Sequence, residues 1–257
     1  MDSLPAFLAS LPDHLFGLTL LFCRISAAVM LVPGWGETES PRMLRAGLAV
    51  AFTLLLYPTL AAQMPAQAGI AKDIGMIAAE LAVGGLLGWL ARLVALALPL
   101  AGQFISIQLG LSSVLQPDPE LGAQSALLGQ MFSRALPALV LATGLYRLPL
   151  AALAGSYDVL PAGSFYSAGD ALALAVRSLG DFWALAVRLS APFLFAGLLW
   201  SGALGLISRL VPKVQIFAIS APGQILGGLT LFAMLASAML RVWGDSVGTV
   251  WAALPGH

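Results

Sequence analysis

The chain has 257 residues, 60% of them hydrophobic and 9% charged, with a mean hydropathy of +0.93, whereas a soluble domain carries roughly 25% charged residues. Twelve Lys and Arg balance twelve Asp and Glu, so there is no basic stripe to hold phosphates and no nucleic acid is expected as a partner. A soluble domain of this length cannot hide so much apolar surface from water, and the composition predicts an integral membrane protein covered by lipid or by other apolar subunits.

The first apolar run, 15–33, contains Arg24. Asp2, Asp13 and His14 precede it without a basic residue. The positive n-region of a signal peptide is therefore missing, and the run is expected to be retained. The lone Cys23 reads as a small buried hydrophobe, and no disulfide can form within one chain. Charge-free runs follow at 46–71, 93–117, 189–208 and 214–240, and a further run at 126–146 holds Arg134. The run starting at 93 extends backward through Arg92 to Glu80, which is long for one straight helix. About six apolar segments result. They should be helices, because open sheet edges and lipid-exposed irregular backbone are not tolerated in hydrocarbon.

Pro99, Pro137, Pro192 and Pro222 fall inside apolar stretches, where each removes a backbone donor and predicts a kink or a break. Close-spaced glycines, Gly84, Gly85 and Gly88, then Gly197, Gly202 and Gly205, predict tight helix hairpins with close backbone approach. Arg42 and Arg45 after the first segment, and Arg209 and Lys213 after the fifth, place both loops on the cytoplasmic side.

Arg24, Arg92, Arg134 and Arg188 each sit within an apolar helix, and a charge near the bilayer centre costs at least about 2.5 kcal/mol. Snorkelling to the interface accommodates an arginine near a helix end. Glu80, Asp118, Glu120, Asp170 and Asp181 are too few for an internal network. Some of these arginines are therefore expected to face water-filled space or groups on neighbouring subunits. His14 and His257 lie at opposite ends, Cys23 has no nearby histidine, and no serine stands in a nucleophile elbow. Neither an enzyme nor a cofactor or metal site is predicted. Broken helices and buried charges also fit a small secondary transporter, but the two halves show no repeat and the embedded charges are mostly of one sign.

One segment stands apart: 108–124, "QLGLSSVLQPDPELGAQ", is too polar to span a bilayer and too apolar for an ordinary solvated loop. An ordinary turn between helices is one reading. The stretch 36–47, "GETESPRMLRAG", places Pro41 at a helix start after a Ser40 cap. It reads either as a solvated positive-inside loop or as a subunit contact.

Three stretches carry a family resemblance. "CRISAAVMLVPGWGETESPRMLRAGLAVAFTLLLYP" at 23–58, "LAGQFISIQLGLSSVLQPDP" at 100–119 and "PKVQIFAISAPGQILGGLTL" at 212–231 resemble the signatures of the FliR family, the R component of the flagellar type III export gate. Gln215 stands where that family usually has Asn, Ile216 replaces Val, and the region 155–169 departs most.

The resemblance implies an all-α polytopic membrane protein of kinked helical hairpins, with a P-like front part over 1–180 and a Q-like carboxyl-terminal hairpin over 181–257. It also implies a location in the bacterial inner membrane at the flagellar basal body. Partners would be P-type and Q-type gate subunits, with one copy of this chain per complex, the cytoplasmic export ring, exported unfolded proteins and membrane lipid. Flagellar and virulence-type secretion remain alternatives.

By the same resemblance, Gly110, Leu111, Ser112, Ser113, Val114, Leu115, Gln116, Pro117, Asp118, Pro119, Glu120, Leu121 and Gly122 form a channel plug. Its leucines and valine would fill a constriction while its prolines stop the helix. Arg24, Glu80, Arg92, Arg134 and Arg188 are candidate buried charges or subunit contacts. Pro41, Arg42, Arg45, Arg209, Pro212, Lys213, Phe217 and Pro222 are candidate hairpin-tip contacts.

Overall fold

The computed structural model describes residues 3–36, 41–111, 126–210 and 216–256. These form helices α1 (Ser3–Val29), α2 (Arg42–Leu60), α3 (Ile70–Ala95), α4 (Ala97–Gln108), α5 (Leu127–Thr143), α6 (Arg147–Val159), α7 (Ala168–Leu210) and α8 (Ile216–Ala252), with one 3-10 turn at Ala61–Gln63 and no strand among the described residues. The all-α expectation holds.

Four helical stretches are long and apolar enough to cross a membrane: Arg42–Gln63, Ile70–Gln108, Ala168–Leu210 and Ser220–Ala252. Helices α5 and α6, bent by 72°, would together make a fifth. Three features depart from the six-segment expectation. Helix α6 follows α5 across a turn of three residues and had no separate forecast. Helix α7 begins at Ala168, well before the expected 189–208 run, and continues for 43 residues. Helix α1 holds the first expected run only as far as Val29 and is not among the four long apolar stretches.

Of the four prolines, Pro137, Pro192 and Pro222 lie inside continuous helices, and the break comes between α3 and α4, at Leu96. Pro99 has no N–H to give the Ala95 carbonyl. The buried Trp243 indole takes that acceptor instead, at 3.2 Å, so the freed carbonyl is satisfied by a side chain from a distant part of the sequence. Helix α2 starts one residue later than forecast. Pro41 occupies the cap position with ψ 134°, and Ser40 lies outside the described residues.

The chain divides into two compact units. The first comprises Met1–Val94, Leu139–Leu179 and Gly248–His257. Its core includes Leu21, Ile25, Ala28, Val83, Leu87 and Tyr157, and Trp251, fully buried, donates to the Ala91 carbonyl at 3.0 Å. Helices α1 and α3 meet here through Gly84 and Gly88. A Cβ on Gly84 would collide with the Arg24 carbonyl, and one on Gly88 would lie 2.7 Å from the Ala28 carbonyl. Spaced four apart on each helix, these residues bring the two backbones into contact. Gly85, Gly202 and Gly205 meet nothing within 4 Å among the described residues.

The second unit comprises Ala95–Ala138 and Gly180–Val247. Phe193 of α7 packs on Phe232 of α8 with ring centres 6.3 Å apart, and Phe132 of α5 adds a 6.0 Å contact to the same ring. Trp200 lies against Gly223, while Arg188 shares a cleft with Val242. As numbers rise along α7 they fall along α8, so the two helices form an antiparallel hairpin.

Candidate functional site

In the first unit, α1 supplies Arg24 and α3 supplies Glu80, both with no solvent exposure. The close α1–α3 approach at Gly84 brings their side chains together. Arg24 Nε donates to Glu80 Oε2 at 2.7 Å and Nη2 to Oε1 at 3.0 Å, the bidentate geometry that a planar guanidinium offers a carboxylate. Nη1 donates to Ser156 Oγ at 3.1 Å, and both Nη1 and Nη2 reach the Leu160 carbonyl at 3.2 Å. Five donors, the whole complement of an arginine, find acceptors.

Glu80 is equally saturated. Oε1 also accepts from the Gly163 amide at 2.7 Å, and Oε2 from the Tyr157 hydroxyl at 3.2 Å. The Arg24 guanidinium carbon lies 3.8 Å from the centre of the Tyr157 ring, a cation–π contact between two buried side chains. Nearby, in the loop before α7, burial pushes the Tyr166 phenol above its ordinary range, the Asp170 carboxylate adding to the rise and Arg24 opposing it. No lone pair or N–H of the ion pair is left for a substrate, so this cluster is structural: it ties α1, α3, α6 and the 160–163 loop together.

The other embedded arginines differ. Arg92 is half-buried and reaches the Leu31 carbonyl at 3.5 Å. Arg134 and Arg188 are exposed, and neither makes an ion pair or hydrogen bond among the described residues. The expected shortage of internal partners thus does not apply to Arg24, because it overlooked neutral groups: a serine hydroxyl, a backbone carbonyl and a tyrosine complete the network. Ser156, Tyr157, Leu160 and Gly163 belong to the stretch that departs most from the family pattern, and nothing in their spacing pointed to Arg24.

In the second unit, α4 ends at Gln108, and Gly110, just past the Leu109 cap, adopts φ +70°. The Gly110 amide bonds the Ile107 carbonyl at 3.2 Å and the Leu111 amide the Ser106 carbonyl at 3.0 Å, the paired bonds of a Schellman cap. The Ser106 hydroxyl also accepts from the Leu128 amide at 3.0 Å, satisfying a free donor in the first turn of α5. Ser106 therefore holds both flanks of the 112–125 segment, a role the sequence reading missed because the cap comes from another helix. Gln224 of α8 donates to the Gln108 carbonyl at 2.7 Å, and Gln108 to the Leu194 carbonyl at 3.3 Å.

Of the plug candidates only Gly110 and Leu111 are described; residues 112–122 lie outside the described residues. Among the tip candidates, Pro41, Arg42, Arg209 and Pro222 are exposed, and Arg45 is half-buried with its Nε lacking a hydrogen-bond partner among the described residues. Pro212, Lys213 and the Phe217 side chain lie outside the described residues. No group of three or more His, Cys, Asp or Glu side chains is arranged to hold a metal among the described residues.

The sequence pattern that defines bacterial export proteins, family 1, matches residues 15–250. The chain belongs to that family. Among its export-protein relatives, the flagellar biosynthetic protein FliR of Caulobacter vibrioides is 32% identical over 227 residues, 88% of this chain and 90% of that protein. FliR of Bacillus subtilis is 29% identical over 88% of this chain and 83% of its own length. Yop proteins translocation protein T of Yersinia pestis is 27% identical over 79% of each chain. The resemblance carried by the three quoted stretches is therefore one of family membership, and this family of membrane export proteins is not a family of enzymes.

Proposed function

We propose that the chain is the R-type subunit of the flagellar type III protein export gate in the bacterial inner membrane, at the flagellar basal body. In this reading it joins P-type and Q-type subunits, one copy per complex, around a protein-conducting channel. Residues 1–180 form the P-like part and 181–257 the Q-like hairpin. Unfolded export substrates pass along the channel, and the cytoplasmic export ring docks against the tip residues.

The observation that carries the reading is the family match over 15–250, with 32% identity to a flagellar biosynthetic protein across nearly the whole length. The flagellar assignment is preferred to a virulence system because the flagellar relatives named above are more similar than the Yop translocation protein. Helix dimensions add support. At about 1.5 Å per residue, the 43-residue α7 is roughly 65 Å long, twice the approximately 30 Å of bilayer hydrocarbon. A helix that long and that apolar suits a chain wrapped by sister subunits.

In the same reading, residues 110–122 plug the channel, and the Schellman cap at Gly110 with the Ser106 bond to α5 gives that segment firm anchors on both sides. Deleting residues 112–122 is expected to leave the complex assembled, judged by co-purification, while making the membrane leaky to ions. Unchanged conductance in a correctly assembled complex would overturn the plug. Deleting the whole gene should abolish secretion of hook and filament proteins; secretion at the normal level would overturn the gate assignment.

A further inference from the structure

The last turn of α4 is keyed into the α7–α8 hairpin through two notches where the hairpin carries glycine. A Cβ on Gly197 would lie 2.7 Å from Gln108 Nε2, and one on Gly228 would collide with Leu109 Cδ2. Two hydrogen bonds close the contact, each from a glutamine side chain to a backbone carbonyl. Gln108 Nε2 donates to Leu194 of α7 at 3.3 Å, and Gln224 Nε2 of α8 donates to Gln108 itself at 2.7 Å. The second bond serves one of the last four carbonyls of α4, which have no partner within their own helix.

Three features let this contact open. The notches receive side chains, and a side chain leaves a notch by changing rotamer; at Gly84, by contrast, the neighbour is the backbone of α1, which moves only with its helix. The bonds join neutral amides, which water replaces at small net cost, whereas parting a buried ion pair is expensive. The contact also borders a cavity of about 110 Å³, lined by both glutamines together with Trp200, Gly223 and Gly227. That volume has room for water to take up the amides as they part. A Cβ on Gly227 would meet nothing within 4 Å among the described residues, so this stretch of α8 sets no side chain in the way of a moving α4 end.

Gly110 then turns the chain with φ +70° into the segment proposed as the channel plug. We infer that Gln108, Leu109 and Gln224 form a releasable clasp. Closed, it fixes the foot of the plug against the hairpin and keeps the resting gate tight; for a substrate to pass, the last turn of α4 leaves its notches. Gln224 is thus a positioning residue that acts on the plug through the end of α4. This inference rests on the plug reading.

The test uses the full chain expressed with its partners in its own membrane, with the only cysteine removed by Cys23→Ala. Leu109→Cys with Gly228→Cys places two thiols on carbons 3.4 Å apart, close to the roughly 3.5–4.5 Å spacing of a disulfide. Oxidation with copper phenanthroline should cross-link the resting protein and lower secretion of hook and filament proteins at least tenfold, reduction should reverse the block, and Cys23→Ala alone should respond to neither reagent. Failure of the pair to cross-link, or equal secretion before and after complete cross-linking, overturns the clasp. In parallel, Gln224→Met, which keeps the length of the side chain and loses its donor, should raise the resting ion leak at least threefold with the complex recovered at its normal level. Loss of assembly in Gln224→Met marks the bond as structural and overturns the assignment. A tight Gln224→Met gate beside a leaky 112–122 deletion sinks the clasp and leaves the plug standing, while a tight gate after that deletion sinks both.

Discussion

Arg24 and Arg188 sit in apolar helices of the same chain, yet the two neighbourhoods could hardly differ more. Around Arg24 five hydrogen bonds reach four acceptor atoms, the Leu160 carbonyl taking two, the side chain is sealed from solvent, and the elements it joins are held within one unit. Along the α7–α8 hairpin many apolar side chains are exposed, Phe195 being 64% and Leu198 68% so, and Arg188 has no partner among the described residues. The first neighbourhood is satisfied from within the chain, whereas the second leaves apolar side chains and a charge exposed. A buried ion pair is weak evidence of extra stability in itself. Its value here lies in fixing which helices meet.

Three substitutions would break or sharpen this contrast. The largest effect is expected from Glu80→Leu, which strands a buried guanidinium. It should destabilise the isolated chain by about 3–5 kcal/mol, seen as a large fall in the thermal midpoint in detergent, and the double change with Arg24→Met should recover most of the loss. If the single change is tolerated, the network does not hold the unit together.

Next comes Gly84→Ala, whose new methyl meets the Arg24 carbonyl. Overpacking of this kind costs about 1–3 kcal/mol. Gly85→Ala, one residue along on an open face, should be neutral or slightly stabilising, and equal losses at both positions would dismiss the contact as the cause. The smallest effect belongs to the hairpin. Phe195→Ser should move the stability of the isolated chain by less than about 0.5 kcal/mol while reducing its recovery within the assembled complex. A large loss in the isolated chain would show that the hairpin surface is already covered from within.

Composition and run length made the class of protein legible, because hydrocarbon tolerates few kinds of backbone and each leaves a mark on sequence. The three quoted stretches made the family legible. Helix limits were harder. Helix α6 and the first half of α7 carry Arg147, Asp158, Asp170, Arg177 and Asp181, which interrupted the charge-free runs used as a ruler. The candidate site was read only in part. Arg24 and Glu80 were visible as charges out of place, but Ser156, Tyr157, Leu160 and Gly163 look like an unremarkable polar connection. Ser106 and Trp243 escaped notice because they serve backbone groups in other elements, and no local spacing announces that service.

By itself, then, the sequence determined that this protein is helical, membrane-embedded and built for export: those properties follow from local chemistry, the density of apolar residues, the scarcity of charge and the short family stretches. Tertiary structure alone decided which arginine is content and which is not. Arg24 finds Glu80 at a separation of 56 residues and Ser156 at 132, and only the close packing of α1 on α3 through two glycines turns such distant positions into neighbours.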